Sequence, residues 1–181
     1  IYGVGGGITW DSTWESEYRE VHQKAAVLYR KQPRFQLITT GKISQKKLLF
    51  EKQHLERLQK ASRYFAFPFD QEVLRQKIEK EYQSCDIRQD YRIRISLSKS
   101  GEIEIERQVL TPLSSSFCQA KLCQQEANLE QAFTYFKTTH RPHLTLGEQE
   151  IIYHTADGKL LETSIGNLVL KMNSKLYTPP S

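Results

Sequence analysis

The segments YRIRISLS and EIEIERQVL lie on either side of Ser100-Gly101 and alternate apolar with polar residues. A period of two sends successive side chains to opposite faces of a strand, so these runs are expected as half-buried strands joined by a tight turn. A hairpin of this length needs a further apolar layer to cover it, which sets the terms for the rest of the chain.

That layer is expected to come from two helices just upstream. Between Glu51 and Phe65, the residues Leu55, Leu58, Ser62 and Phe65 fall on one helical face. Pro68 ends that run, and Asp70 is placed to cap a second helix carrying Val73, Leu74, Ile78 and Tyr82. Before them, FQLITT is β-branched and alternating, and Gly41-Lys42 reads as a hairpin turn into ISQKKLLF. After the hairpin, further strands are expected near Ala120, Thr134, Ile151, Leu160 and Val169, with turns at Asp157-Gly158 and Asn173-Ser174. The layout is α+β: two strands, two helices, then a mostly antiparallel set of strands.

The first thirty or so residues read differently. Gly3, Gly5, Gly6 and Gly7 form a flexible turn, Ile8 to Trp10 reads as a short strand, and Ser12 with Glu15 reads as a capping box. The helix that follows is expected to run to about Lys31 and to stop before Pro33. Two pieces are therefore expected, residues 1–32 and residues 33–181. With Ile1 in place of a methionine, the chain is expected to begin inside a longer polypeptide.

Composition narrows the function. The net charge is +5, but Lys and Arg are interspersed with acids, which fits a solvated mixed surface and small anionic ligands better than nucleic acid. Cys85, Cys118 and Cys123 are odd in number and lack CxxC spacing, so neither a disulfide scaffold nor a zinc site is expected, and a reducing cytoplasm suits them. No run is apolar enough to span a membrane, so a membrane partner is not expected.

Several residues invite a chemical reading, each beside a plainer one. The glycine run lacks the third glycine of a dinucleotide fingerprint and has no following GK[ST], but its backbone could approach an anion; a tight turn is the plainer reading. Glu17, Glu20 and Lys24 share a helix face, a spacing that suits a magnesium ion and a carboxylate but is also common on solvated helices. Lys137, in FTYFKTTHR, sits among aromatics at the expected end of a strand. Desolvation there would lower its pKa and let it form a Schiff base, whereas a surface lysine is the plainer reading. Arg57, in HLERLQKASRYFAF, could grip a phosphate with two N–H groups or simply face water. Glu162 ends a strand before the turn containing Thr163, Ser164 and Asn167, where a carboxylate could pair with a pyridinium nitrogen.

Two resemblances organise these residues. GVGGGITWDS with ESEYREVHQKA resembles the C-terminal end of the chorismate-utilising enzymes, especially aminodeoxychorismate synthase component I. It implies that the glycine loop lies at the chorismate carboxylate, that Glu20, with Glu17 beside it, binds Mg2+, and that Lys24 sits nearby. Residues 1–32 would then be the tail of a chorismate-binding domain whose other parts precede Ile1. From about Phe35, the order H-x-x-R-L, lysine, E-x-S-x-x-N resembles the fold-type IV pyridoxal-phosphate enzymes, which are D-amino-acid aminotransferase-like. The nearest variant in pattern is 4-amino-4-deoxychorismate lyase fused behind aminodeoxychorismate synthase, where KTT.R and FPF also occur.

This second resemblance implies a small α/β subdomain followed by a β-rich part. It makes Arg57 the binder of the cofactor phosphate, Lys137 the Schiff-base lysine and Glu162 the partner of the pyridine nitrogen, with Thr163, Ser164 and Asn167 shaping the pocket. The expected reaction converts 4-amino-4-deoxychorismate to 4-aminobenzoate and pyruvate in folate biosynthesis. The expected partners are a second copy of the chain and, for the full-length protein, a glutamine amidotransferase subunit. His140, Arg141 and Arg94 are candidates for the substrate carboxylates by charge alone. The family continues past the point equivalent to Ser181 with a glycine-containing phosphate loop. The alternatives are a branched-chain or D-amino-acid transaminase of the same fold type and a non-catalytic truncated domain.

Overall fold

A computed structural model describes residues 3–29, 33–111, 119–125, 131–145, 147 and 149–178. The chain divides into two compact units, Ile1–Arg34 and Phe35–Ser181.

In the first unit, a glycine-rich loop leads into helix α1, Trp14–Tyr29. Residues 8–10 form no strand. The capping box sits one residue later than expected. The Thr13 hydroxyl accepts from Ser16 N–H, and the Ser16 hydroxyl accepts from Thr13 N–H. Ser12 instead donates to Glu17 Oε1 at 2.6 Å, so it braces the first turn from outside.

The second unit is built on a four-stranded antiparallel sheet. Strand β1 is Leu37–Ser44, β2 is Lys47–Leu48, β3 is Tyr91–Leu97 and β4 is Ile103–Val109, in the order β2-β1-β3-β4. The β3–β4 hairpin pairs Leu97 with Ile103 through Tyr91 with Val109, as the alternation predicts. Strand β1 does not turn at Gly41-Lys42. It continues to Ser44, and the chain reverses at Gln45 and Lys46, whose φ values of 48° and 60° are those of a two-residue hairpin turn. Gly41 serves another purpose, described below.

Helices α2, Glu51–Phe65, and α3, Gln71–Ser84, cover one face of this sheet. Leu55, Leu58 and Ala61 of α2 join Leu74 and Ile78 of α3 against Leu37, Ile43, Ile93, Ile95, Leu97 and Ile103. Burying each large side chain contributes about 1.5–3 kcal/mol. Val73 is not among them and lies exposed. The Asp70 carboxylate accepts from Glu72 N–H and Val73 N–H, capping α3. Asp70→Ala is expected to cost about 1 kcal/mol, read as a lower denaturant midpoint.

A second sheet follows. Strand β5 is Ala120–Gln124, β6 is Glu150–His154 and β7 is Leu160–Thr163. Strands β5 and β6 run parallel, an exception to the expected antiparallel order, while β6 and β7 are antiparallel. A parallel pair requires a long crossover, and residues 125–149 supply it. That crossover contains a short helix, α4, Gln131–Tyr135, where the sequence reads as a strand near Thr134. Strands β8, Leu170–Met172, and β9, Lys175–Tyr177, form a hairpin turned at Asn173-Ser174.

Candidate active site

The crossover brings Lys137 back to the first sheet. Ile38 N–H donates to the Lys137 carbonyl at 3.0 Å, Thr139 N–H to the Gln36 carbonyl at 2.9 Å, and Thr138 bridges Leu37. Lys137 thus follows a helical turn and sits in an extended segment on the edge of β1, not at the end of a strand of its own. Thr138 is fully buried, and its hydroxyl donates to the His140 carbonyl at 2.6 Å. By register Lys137 lies opposite Ile38, while Phe136 packs into an aromatic cluster with Tyr64 at 4.6 Å and Phe65 at 5.4 Å between centroids.

The lysine is half-buried among positive charges. Burial holds its pKa below the ordinary lysine range, and the guanidiniums of Arg141, Arg57, Arg92 and Arg94 push it the same way. Arg92 and Arg94 alternate along β3, and Arg57 stands on α2. Helix α2 is drawn close to β1 because Gly41 has no side chain. A Cβ there would lie 2.7 Å from His54 Nε2 and 2.7 Å from Leu48 Cδ1. His54 Nδ1 meets the Thr39 hydroxyl at 2.7 Å, and Arg57 follows one helical turn on. Burial, then Arg57 and Lys137, lower the His54 pKa, so its imidazole is neutral near pH 7.

Glu162, at the end of β7, is half-buried, and burial raises its pKa against the opposing pull of Arg141. Arg141 Nη2 lies 3.8 Å from Glu162 Oε2, and His143 Nε2 lies 3.6 Å from Oε1. The adjoining turn is held from within. Thr163 donates to the Gly166 carbonyl at 2.9 Å, and Ser164 donates to Glu150 Oε1 at 3.0 Å while accepting Ile151 N–H. Ile165 N–H and Gly166 N–H also donate to Glu150 Oε1. Burial pushes the Glu150 carboxyl up, but these hydrogen bonds outweigh it and bring its pKa below the ordinary range. Asn167 is exposed at the end of the turn.

Arg57, Arg94 and Arg141 thus all act on the Lys137 charge, and Glu162 lies against Arg141. His54 stands in the H-x-x-R-L motif and Arg92 alternates with Arg94 along one strand, whereas His143 and Glu150 carry no local signal in the sequence.

In the first unit, the expected cluster also converges. A Cβ on Gly6 would lie 3.1 Å from Glu20 Oε1 and 3.3 Å from Glu17 Oε2. Lys24 Nζ bonds the Gly5 carbonyl at 3.0 Å and Glu20 at 2.5 Å. Among the described residues, no group of three or more His, Cys, Asp or Glu side chains could hold a metal ion. No helix among them is long and apolar enough to cross a membrane.

A lysine with lowered pKa, in the positive field of four guanidiniums and docked on a helix-covered antiparallel sheet, has the chemistry to meet an anionic ligand that reacts with an amine. Residues 36–181 match the family described as amino-transferase class IV, and the chain belongs to that family. It is similar to the structure of a protein from Mesorhizobium loti provisionally named an amino-acid aminotransferase, with TM-score 0.65 and 21% identity, over 81% of this chain and 75% of that one. It is also similar to a protein from Haemophilus somnus provisionally named a 4-amino-4-deoxychorismate lyase, with TM-score 0.59 and 21% identity, over 82% of this chain and 77% of that one. A hypothetical aminotransferase from Mycobacterium tuberculosis, in its form with α-ketoglutarate and PMP bound, gives TM-score 0.61 and 16% identity, over 80% of this chain and 61% of that one. No curated protein matches the sequence. The shared architecture is the class IV aminotransferase fold, mixed α+β with mostly antiparallel sheets.

Proposed function

We propose that this chain is the pyridoxal-phosphate part of a 4-amino-4-deoxychorismate lyase. The observation that carries the reading is Lys137, half-buried where its segment docks on β1 and within the positive field of Arg141, Arg57, Arg92 and Arg94. A bound cofactor phosphate and the two carboxylates of 4-amino-4-deoxychorismate together call for that much positive charge. A branched-chain amino acid, with one carboxylate and an apolar side chain, calls for less charge and an apolar wall.

The residues fit the cofactor. Arg57 would hold the phosphate, since a guanidinium can donate two parallel N–H bonds to phosphate oxygens. Glu162 would serve the ring nitrogen, and Thr163, Ser164 and Asn167 would shape the wall beside it. When bound, pyridoxal phosphate supplies an aldehyde that condenses with amines and a ring that draws electron density from the neighbouring carbon. Lys137 would hold the cofactor, and a substrate amine would free its side chain to act as a base. The Lys137 amine, whose pKa burial and the neighbouring guanidiniums hold below the ordinary lysine range, would then take the proton from the amine-bearing ring carbon. Arg92, Arg94, Arg141 and His140 would hold the substrate carboxylates. The ether C–O bond breaks, Lys137 returns a proton to the departing enolpyruvate, and 4-aminobenzoate and pyruvate result. Aromatisation of the ring drives the step, so the protein's task is proton placement.

The first unit belongs, in this reading, to a chorismate-utilising domain that makes aminodeoxychorismate with a glutamine amidotransferase subunit. The support is the convergence of Gly6, Glu17, Glu20 and Lys24, whose acids would serve Mg2+ once that domain's other ligands are present. The lyase unit pairs with a second copy of itself, and the enzyme acts in the cytoplasm.

The test is a product assay on the full chain with pyridoxal phosphate and 4-amino-4-deoxychorismate. Equal amounts of 4-aminobenzoate and pyruvate are expected. A keto acid made from a branched-chain or D-amino acid with α-ketoglutarate, and no 4-aminobenzoate, would overturn the lyase reading in favour of a transaminase.

A further inference from the structure

His143 is almost completely enclosed, its side chain only 2% exposed, and its Nδ1 is buried without a hydrogen-bond partner among the described residues. Its Nε2 faces Glu162 Oε1 at 3.6 Å, a charge–dipole contact just beyond hydrogen-bond range. The charged and titratable groups around it are Arg141 and His140 from its own segment and Glu162 from β7. We infer that His143 is a positioning residue for Glu162: a neutral imidazole, protonated on Nε2, whose N–H dipole keeps that side chain an oriented carboxylate.

The argument is one of elimination over three proton arrangements. An imidazolium would put a buried donor on Nδ1 with nothing to receive it, beside the positive Arg141. The Nδ1–H tautomer would leave the same orphaned donor and turn the Nε2 lone pair toward the negative Glu162. The Nε2–H tautomer leaves an acceptor and not a donor unsatisfied, and aims its one N–H at the carboxylate. Burial, followed by Arg141 and His140, also lowers the His143 pKa, which agrees with a neutral ring.

The consequence lies in what burial does to Glu162. Burial favours its protonated form, and a protonated carboxyl could not stabilise a positive ring nitrogen. Arg141 and the His143 dipole oppose that tendency from its two oxygens, Oε2 and Oε1. The consequence for catalysis rests on the proposed role of Glu162, but the tautomer and the carboxyl titration do not, and both can be measured without cofactor.

The first measurement is 15N NMR of the His143 ring in the full, unsubstituted chain. Deprotonated Nδ1 and protonated Nε2 are expected from pH 8 to below pH 6.5, the ordinary histidine value. A proton on Nδ1, or a ring that charges above that ordinary value, overturns the inference. The second measurement is the 13C titration of the Glu162 carboxyl in variants, its signal assigned by Glu162→Gln. Glutamine places its amide nitrogen where Nε2 stood, and asparagine places its own where Nδ1 stood. His143→Gln should therefore keep the Glu162 midpoint, while His143→Asn and His143→Leu should raise it by roughly half to one pH unit. Equal midpoints in all three overturn the positioning role even where 4-aminobenzoate is still made. A normal titration with no cofactor bound would instead count against the lyase reading alone.

Discussion

Lys137→Ala is expected to abolish the visible absorbance that pyridoxal phosphate acquires on a lysine, and to lower 4-aminobenzoate formation by about 10³-fold or more. The substitution separates chemistry from folding cleanly. The bond from Ile38 N–H goes to the backbone carbonyl of Lys137, and Thr138 and Phe136 make the packing contacts on either side. An alanine therefore keeps the segment docked, and the denaturant midpoint should fall little. Persistence of the absorbance band would sink the assignment. The lowered lysine pKa also sets a direction for the pH profile. The uncharged amine appears below the ordinary lysine range, so the activity limb governed by it should lie there too. After burial, Arg141 is the largest contributor, so Arg141→Gln should move that limb toward higher pH.

Leu37→Ala should produce the largest loss of stability among substitutions that touch the site only indirectly. Leu37 is fully buried, packs in the main core, and pairs with both Leu97 and Thr138. Removing its side chain leaves a cavity between two helices and a sheet, at a cost of about 2–5 kcal/mol. For a domain with a total of about 5–15 kcal/mol, that is a large share. A urea titration should show a lower midpoint with an unchanged slope. Because the Lys137 segment is hung on β1 at this residue, cofactor affinity should fall as well. An unchanged midpoint would mean that the core closes around the gap.

The parts of the fold that were legible in the sequence are those with local signals. The β3–β4 hairpin follows from unbroken alternation, and α3 from Asp70 followed by apolar residues at helical spacing. Gly41 shows how a local signal misleads. In the sequence it resembles a turn, yet its lack of a Cβ serves the approach of His54, and the turn falls on two non-glycine residues instead. FTYF has the composition of a strand, but the crossover between parallel strands winds it into a helical turn. The site divides the same way. Lys137, Arg57 and Glu162 stand in recognisable motifs, whereas Glu150 and His143 act on residues 14 or more positions away. Contacts of that kind depend on how β6 and β7 pair, which no short window contains.

The stitching of Lys137 to β1 also has a consequence in time. Gln36 N–H bonds the Thr139 hydroxyl across 103 positions of sequence, whereas the β3–β4 hairpin closes over a handful. Closing a loop costs more entropy the longer it is, and distant contacts are rewarded only after that cost is met. The β1–β3–β4 sheet and its two helices can therefore assemble without the lysine, while the lysine has no place to dock until they have. The chain acquires its shape before its chemistry, and a nascent or partly unfolded molecule presents a formed small layer with the reactive amine still in water.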